Sequence, residues 1–155
     1  MDAVILGVRG VLTPEIAPLE QGSASPTMGH MRTTLREIVS HMPLVLLERG
    51  PFDALEEWAR NTGVADIATF RLWSSRLGRQ ANPPSRLPFR FIHRRIDVAP
   101  KHSLYAGCDE ATLFAAQRAG CCTWDIRQSA PKNVPVDVVD LVDWLRTQSP
   151  FRLEA

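Results

Sequence analysis

The chain has 155 residues, of which 45% are hydrophobic and 23% charged, so it can build one ordinary core but not two comfortable domains, and we expect a single domain over residues 1–155. Its formal net charge of +1 gives no overall reason to expect binding to nucleic acid or to an anionic membrane. The first apolar stretch is only about ten residues long, carries Asp2 and has no basic segment before it, so we expect a cytoplasmic protein without a signal peptide, a spanning helix or a membrane partner.

The chain begins with a short apolar run that is typical of a buried parallel strand. Ala3 to Val8 are almost wholly apolar, and Gly10 and Pro14 then break the pattern where a loop should leave the sheet. Residues 14–30 are rich in Pro, Gly and Ser and read as a loop. This loop is too short for a separate cap domain, so we expect little or no cap.

Alternating helix and strand patterns follow this loop. Residues 31–42 carry apolar side chains at helical spacing, and residues 43–47 form a short apolar strand. Gly50 and Pro51 suit the start of a second helix, which Gly63 ends. We predict a third strand over residues 67–73, a polar connection over residues 74–88, and a short edge strand from Phe89 to His93.

The second half repeats the alternation. Residues 103–106 form a predicted strand, Asp109 can cap the helix that follows, and Gly120 suits its end. A further strand and a helix over residues 136–148 complete the pattern. The expected fold is α/β, a three-layer Rossmann-like parallel sheet with helices on both faces.

The first strand and its loop resemble motif I of the haloacid dehalogenase (HAD) superfamily, in which hhhhDxDGxhT follows the first strand. Gly10 to Thr13 match the frame, but Gly7 and Arg9 stand in place of the two aspartates. The fourth strand and its helix resemble motif IV, hhhGDxxxDhxxAxxAG. Cys108 and Thr112 stand in place of its two acids, although Asp109 lies beside the first.

The other two motifs of the superfamily are also altered. Motif II is a strand that ends in Ser or Thr, and here Glu48 or Arg49 takes that place. Motif III supplies a lysine, and Lys101 is the candidate, although it lies unusually close to the fourth strand. The resemblance covers about residues 3–126.

The resemblance implies a phosphate-handling fold whose catalytic groups are absent. Enzymes of the superfamily use the first aspartate as nucleophile, the second as general acid and base, and Mg²⁺ held by carboxylates. Gly7 cannot attack phosphorus, and Arg9 stays protonated and repels a divalent cation. We therefore expect a catalytically inactive binding, scaffold or regulatory subunit that needs no cofactor and no Mg²⁺. The alternative is a phosphatase or other hydrolase in which Asp109, Glu48 or Cys108 has taken over the chemistry.

Two interpretations of Arg9 follow. Together with Arg49, Lys101 and Asp109, it could hold a small anion, because a guanidinium presents a fork that matches phosphate or carboxylate. Alternatively, Arg9 pairs within the chain with Glu48 or Asp109, which is the interpretation that we favour.

The cysteines suggest structure rather than chemistry. Cys108, Cys121 and Cys122 make an odd count without zinc or disulfide spacing, so reduced thiols are expected. Cys108 with His102 and Asp109 supplies ligand-type atoms, but a metal site needs a fourth donor, and we expect a buried thiol and no metal site.

The segment 71–102 is strongly basic. It carries seven arginines and Lys101 against the single acid Asp97, a net charge of about +7. It could bind a nucleic-acid backbone or an acidic partner, whereas a solvated or internally paired surface is the simpler interpretation. A homo-oligomer or a protein partner also fits a chain without a cap. Of the four tryptophans, Trp73 is the one we expect to be exposed.

Overall fold

The first strand lies in the middle of the sheet. Its five residues are apolar and buried, as expected of a central strand. The structure, a computed structural model, describes residues 1–9, 11–12 and 26–127. Five parallel strands lie in the order β3-β2-β1-β4-β5. They are β1 (Ala3–Gly7), β2 (Leu44–Glu48), β3 (Phe70–Trp73), β4 (Ser103–Gly107) and β5 (Cys122–Asp125). This order places the carboxyl ends of β1, β2 and β4 side by side.

Four helices connect these strands and cover both faces of the sheet. They are α1 (Pro26–Val39), α2 (Phe52–Asn61), α3 (Leu87–Ile96) and α4 (Glu110–Arg118). Alternate strand residues point to opposite faces, so Val4 and Leu6 pack with α1 and α2, whereas Ile5 packs with α3 and α4. The predicted three-layer α/β sheet is therefore confirmed.

Local sequence signals set the helix ends. On α2, Leu55, Trp58 and Ala59 are buried at the i, i+3 and i+4 spacing of one helical face. The left-handed backbone of Gly63, with φ of 79°, follows the helix. At the start of α4, the Asp109 side chain accepts a hydrogen bond from the backbone N–H of Thr112, as predicted for a cap.

Three element predictions are wrong. Residues 89–93 belong to helix α3 and not to an edge strand, because Phe89, Ile92 and His93 form a buried helical stripe behind Pro88. Helix α1 begins at Pro26 inside the predicted loop, and β3 begins at Phe70 rather than at residue 67. The predicted polar connection of residues 74–88 holds two short 3₁₀ turns, over Ser74–Leu77 and Arg79–Ala81, and the first residues of α3.

Trp73 corrects a further expectation. It is 2% exposed, because its indole N–H donates to the Glu56 carboxylate at 2.6 Å and its ring joins the core. The helix predicted over residues 136–148 and most of the segment on which the cap prediction rests lie outside the described residues. No helix in the described part of the chain has the length and apolarity needed to cross a membrane.

Candidate functional site

The carboxyl ends of β1, β2 and β4 open into a cleft of about 440 Å³. Ligands of open α/β sheets bind at this edge, where the loops that leave neighbouring strands diverge. Most of the positions singled out in the sequence line the cleft together. They are Gly7, Arg9, Glu48, Arg49, Cys108, Asp109 and Thr112.

Glu48, the last residue of β2, is the most constrained side chain of the cleft. Its Oε1 accepts the backbone N–H of Arg9 at 2.8 Å and that of Val8 at 3.3 Å. Its Oε2 accepts the N–H of Arg49 at 3.0 Å. Burial raises the pKa of the Glu48 carboxyl, although the three hydrogen bonds and the charge of Arg9 act in the opposite direction.

Arg9 and Arg49 are both exposed and follow the adjacent strands β1 and β2. The hydrogen bond between Arg9 and Glu48 is made by the Arg9 backbone N–H. The sequence favours a side-chain pair of Arg9 with Glu48 or Asp109. The structure instead shows a contact between the Arg9 backbone and the Glu48 side chain. Two arginines therefore line the cleft at one edge of the sheet.

Asp109 and Thr112 stand together at the start of α4. The Oδ2 atom of Asp109 accepts the backbone N–H of Thr112 at 3.2 Å and also the Thr112 hydroxyl. The Asp109 side chain is exposed on the cleft. A carboxylate is thus held at the cleft by its own helix cap.

Cys108 is half-buried rather than buried as expected, because it follows β4 at the cleft. Its Sγ donates to the Arg9 carbonyl oxygen at 3.3 Å. Burial, and next the nearby Glu48 charge, raise the pKa of the Cys108 thiol. Since the thiolate is the nucleophilic form, this environment opposes a catalytic role for Cys108.

Two predicted residues lie away from the cleft. Lys101 is exposed in the 3₁₀ turn Pro100–His102, which leads into the amino end of β4, at the opposite edge of the sheet. His102 is in the same turn, and its Nδ1 lies 3.3 Å from an Asp2 carboxylate oxygen. Lys101 therefore does not join the anion-binding set, and His102 does not join Cys108.

Tyr105 is a cleft residue that the sequence analysis missed. It is buried in β4, and its ring meets that of Phe89 edge-on with centroids 5.3 Å apart. Its hydroxyl lies beside Gly7 and Gly107. Ser74 and Ser85 also line the cleft, from the connection between β3 and α3. The signal in the sequence that could have pointed to Ser74 and Ser85 is the high Ser and Pro content of that connection, which indicates a loop.

The basic segment 71–102 does not form one face. Arg71 pairs with Glu56, with nitrogen–oxygen distances of 3.0 and 3.1 Å. Arg76 lies over the Phe52 ring and Arg95 over the Phe70 ring. A separate hollow of about 340 Å³ is lined by Arg90 and Arg94 of α3, by Arg86 directly before that helix, and by Arg118 of α4.

Comparison with solved structures identifies the fold. D,D-heptose 1,7-bisphosphate phosphatase from B. bronchiseptica, complexed with magnesium and phosphate, is 18% identical, with a TM-score of 0.64 over 96% of this chain and 100% of that one. A HAD family enzyme from Bacteroides thetaiotaomicron, in complex with magnesium and inorganic phosphate, is 12% identical, with a TM-score of 0.60 over 89% of this chain and 98% of that one. The chain has a HAD-like fold. No protein-family model matches it, and no curated protein sequence matches it.

The HAD-like fold corrects the cofactor prediction. We expected no cofactor and no Mg²⁺, but both of these neighbours are magnesium complexes, so the prediction is wrong on this comparison. That prediction rested on the loss of the acidic residues at four motif positions.

Among the described residues, three carboxylates at the carboxyl ends of the strands have partners. Glu48 accepts backbone N–H groups, Asp109 caps α4, and Asp125 binds the Arg127 guanidinium at 2.7 Å. Within residues 1–9, 11–12 and 26–127, no three His, Cys, Asp or Glu side chains form a cluster that could hold a metal ion. The described residues therefore offer no preformed three-ligand site, whereas Mg²⁺ in proteins is usually held by one or two carboxylates together with a substrate phosphate.

Proposed function

We propose that the cleft binds the phosphate group of a small phosphorylated molecule. The observation that carries this proposal is the position of Arg9 and Arg49, two exposed arginines that follow adjacent parallel strands and line the same cleft. A guanidinium offers two parallel donors to a phosphate and keeps its charge at any physiological pH. Two of them at one edge favour a dianionic ligand.

The size and lining of the cleft support a small molecule. Its volume of about 440 Å³ falls within the range of roughly 300–1,000 Å³ that is typical of ligand pockets. Ser74, Ser85 and Thr112 add hydroxyl groups to its walls. Both neighbours described above were solved with phosphate, and one is a sugar-phosphate phosphatase.

Phosphoester hydrolysis is the reaction that the comparisons favour over a purely non-catalytic role. Asp109 is the side chain of this chain that such a reaction would use, because its carboxylate is exposed on the cleft. A carboxylate can attack the phosphorus and displace the alcohol, which leaves with a proton taken from solvent. Water then hydrolyses the acyl phosphate, which releases inorganic phosphate and restores the carboxylate. Gly7 and Arg9 supply no such group. If hydrolysis is absent, the cleft serves the binding, scaffold or regulatory role that the sequence predicts.

Calorimetry with inorganic phosphate and a panel of sugar phosphates tests binding. Arg9→Ala or Arg49→Ala should weaken binding about tenfold or more, since a charge-assisted hydrogen bond contributes about 1.5–3 kcal/mol. Arg36→Ala is the matched control, because Arg36 is an exposed arginine in the last turn of α1, and it should leave the affinity unchanged. Equal affinity in all four proteins would refute the proposed role of the cleft.

Release of phosphate from the same panel, with and without Mg²⁺, tests hydrolysis. Asp109→Asn should abolish turnover while it preserves the helix cap, because Asn caps helices about as well as Asp. Glu110→Gln alters the adjacent exposed carboxylate, which does not line the cleft, and should retain turnover. Turnover that survives Asp109→Asn would exclude Asp109, and binding without turnover would leave the non-catalytic role.

A further inference from the structure

The hollow of about 340 Å³ beside α3 and α4 shares no lining residue with the cleft. Four arginines line it, which are Arg86, Arg90, Arg94 and Arg118. Three of them share one helical face, because Arg86 directly precedes α3 and Arg90 and Arg94 follow at intervals of four residues. Arg118 lies in the last turn of α4, and both helices pack on the same face of the sheet. The fold therefore brings arginines from two helical segments to one hollow.

The positive charge of this hollow is not compensated within the described part of the chain. No Asp or Glu of that part lines the hollow. None of the four arginines forms an ion pair with a described carboxylate, whereas Arg71 of the same basic segment binds Glu56 at 3.0 Å. Arg118 lies over the Phe114 ring of its own helix, 5.7 Å from the ring centroid, and this contact leaves its charge in place.

Helix ends explain only part of the arginine cluster. A cation is favoured near the carboxyl end of a helix, where Arg94 and Arg118 lie. Arg86 lies at the amino end of α3, where the helix dipole disfavours a positive charge. Arg90 and Arg94 are like charges four residues apart, and such pairs destabilise a helix. The cluster therefore opposes the stability of the free protein, and an anion bound in the hollow relieves that repulsion.

The rest of the lining makes the hollow small and concave. Pro100 packs against the end of α4, since a Cβ on Gly120 would lie 3.2 Å from the Pro100 Cβ. His93 also lines the hollow, and it is buried with its Nε2 2.8 Å from the Ser103 hydroxyl. The volume of about 340 Å³ falls in the range of roughly 300–1,000 Å³ that is typical of small-molecule pockets. The hollow therefore suits a compact anion better than an extended nucleic-acid backbone.

We propose that this hollow is a second anion-binding site, which takes a short polyphosphate chain, either inorganic triphosphate or the phosphates of a nucleoside triphosphate. Each guanidinium presents a fork of donors that matches phosphate oxygens. Because four arginines line the hollow, a chain of phosphates contacts more of them than a single phosphate does. The site shares no residue with the cleft, so the proposal goes beyond the proposed function and does not rest on it.

Calorimetry with inorganic triphosphate at physiological salt tests this inference, in a parent protein that carries Arg9→Ala and Arg49→Ala and so lacks the arginines of the cleft. Triphosphate should bind the parent about tenfold or more tightly than inorganic phosphate does. Adding Arg90→Ala on α3 or Arg118→Ala on α4 should weaken triphosphate binding about tenfold or more, because charge-assisted hydrogen bonds are lost. Arg79→Ala is the matched control, since Arg79 is an exposed arginine of the same basic segment outside the hollow, and it should change the affinity less than about twofold.

Two further measurements locate the site and identify its ligand. In the parent, triphosphate should shift the side-chain Nε–H resonances of Arg90, Arg94 and Arg118. A nucleoside triphosphate distinguishes the two sources of the phosphate chain. Tighter binding than that of inorganic triphosphate assigns the site to a nucleotide, whereas equal or weaker binding assigns it to the phosphate chain alone.

Three results would overturn the inference. They are triphosphate binding no tighter than that of phosphate, an affinity that both Arg90→Ala and Arg118→Ala leave unchanged, and an equal loss of affinity in Arg79→Ala. In the last case binding would follow the total charge of the segment. Circular dichroism establishes that each variant is folded. Every protein in this experiment lacks the arginines of the cleft, so its failure is distinct from failure of the proposed function.

Discussion

The Tyr105 hydroxyl takes up the space that a side chain at Gly7 would need. A Cβ at residue 7 would lie 3.3 Å from this oxygen, which is tighter than ordinary packing allows. Tyr105 is buried and its ring packs edge-on against Phe89, so it has little room to withdraw. The last residue of β1, Gly7, and Tyr105 of β4 are therefore a matched pair, and a side chain at residue 7 requires the tyrosine to shift by a few tenths of an ångström.

Substitution of Gly7 should consequently depend on Tyr105. Gly7→Ala should lower the free energy of unfolding by about 1–3 kcal/mol, the usual cost of overpacking. In a Tyr105→Phe background the cost should largely disappear, because the other atoms near the new Cβ lie 3.7 Å away. Chemical denaturation of the single and double variants measures the coupling.

Gly107→Ala is the control for this cycle. Its Cβ would lie 2.7 Å from the ring carbon Cζ of Tyr105, which remains in phenylalanine, so it should destabilise both backgrounds strongly. If Gly7→Ala lowered the free energy of unfolding equally in the wild-type and Tyr105→Phe backgrounds, the pairing of Gly7 with the Tyr105 hydroxyl would be contradicted. For the same reason, Gly7→Asp with Arg9→Asp should not raise the rate of phosphate release above that of the wild type.

The Glu56 carboxylate holds β3 to α2 and should dominate the stability of that edge. It receives the Arg71 guanidinium at 3.0 and 3.1 Å and the Trp73 indole N–H at 2.6 Å. Glu56→Gln should cost about 1–3 kcal/mol of unfolding free energy, because Arg71 is left half-buried without its anion. Glu57→Gln, on the exposed side of the same helix, should stay within about 0.5 kcal/mol of the wild type.

The pH dependence of stability gives a second readout of Glu56. Arg71 first, and next the Trp73 indole, lower the pKa of the Glu56 carboxyl below its ordinary value of 4.5. The group therefore stabilises the fold fully above about pH 4.5, and the contribution is lost as the pH falls through the lowered value. Denaturation between pH 3 and 6 should show a shallower acid loss in Glu56→Gln than in Glu57→Gln.

Strand periodicity and loop signals located the cleft, because parallel strands end at one edge whatever their side chains are. That rule predicts that Gly7, Glu48 and Asp109 lie close together. It does not predict the hydrogen bonds of Glu48, because the donors Val8 and Arg9 belong to the loop after another strand. Tyr105 was missed for a similar reason: it reads as an ordinary strand residue until its register beside Ile5 is known.

Tertiary contacts explain the errors that remain. The sequence predicts a short edge strand from Phe89 to His93, but the buried residues Phe89, Ile92 and His93 follow the spacing of a helix. Trp73 stands beside polar residues in the sequence, yet the carboxylate that accepts its N–H comes from α2. A local pattern cannot show such a partner.

His93 should make the fold sensitive to mild acid. It is buried on α3, with Nε2 2.8 Å from the Ser103 hydroxyl, and burial lowers the pKa of its imidazole below the ordinary 6.5. The unfolded chain therefore takes up the proton first, and stability falls as the pH drops below about 6.5 until the lowered value is reached. Thermal melting between pH 5 and 8 should show this slope.

Two histidine variants separate this effect from others. His93→Gln should flatten the slope, because the buried titrating group is gone. His102→Gln removes an exposed histidine and should leave the slope in place. A slope that persists unchanged in His93→Gln would assign the acid sensitivity to another group.

The arginine row beside α3, formed by Arg86, Arg90 and Arg94, tests the nucleic-acid alternative. Arg86, Arg90 and Arg94 share one hollow with Arg118, whereas other arginines of the basic segment are engaged elsewhere. A patch of four cations contacts about four phosphates at most, which gives a slope of log K against log[salt] of roughly −3 to −4. We expect weak binding or none at physiological salt, because so small a patch supplies little affinity.

Fluorescence anisotropy with labelled duplex and single-stranded oligonucleotides, at two salt concentrations, measures this. Arg90→Glu with Arg94→Glu reverses the row, and Arg79→Glu is the matched control, since Arg79 is exposed in the same basic segment but outside the hollow. Submicromolar affinity that the row reversal abolishes and Arg79→Glu retains would place nucleic-acid binding above phosphate binding. Weak binding that all three proteins share would reflect the general charge of the segment, because a specific row must respond to its own reversal more than to a change elsewhere.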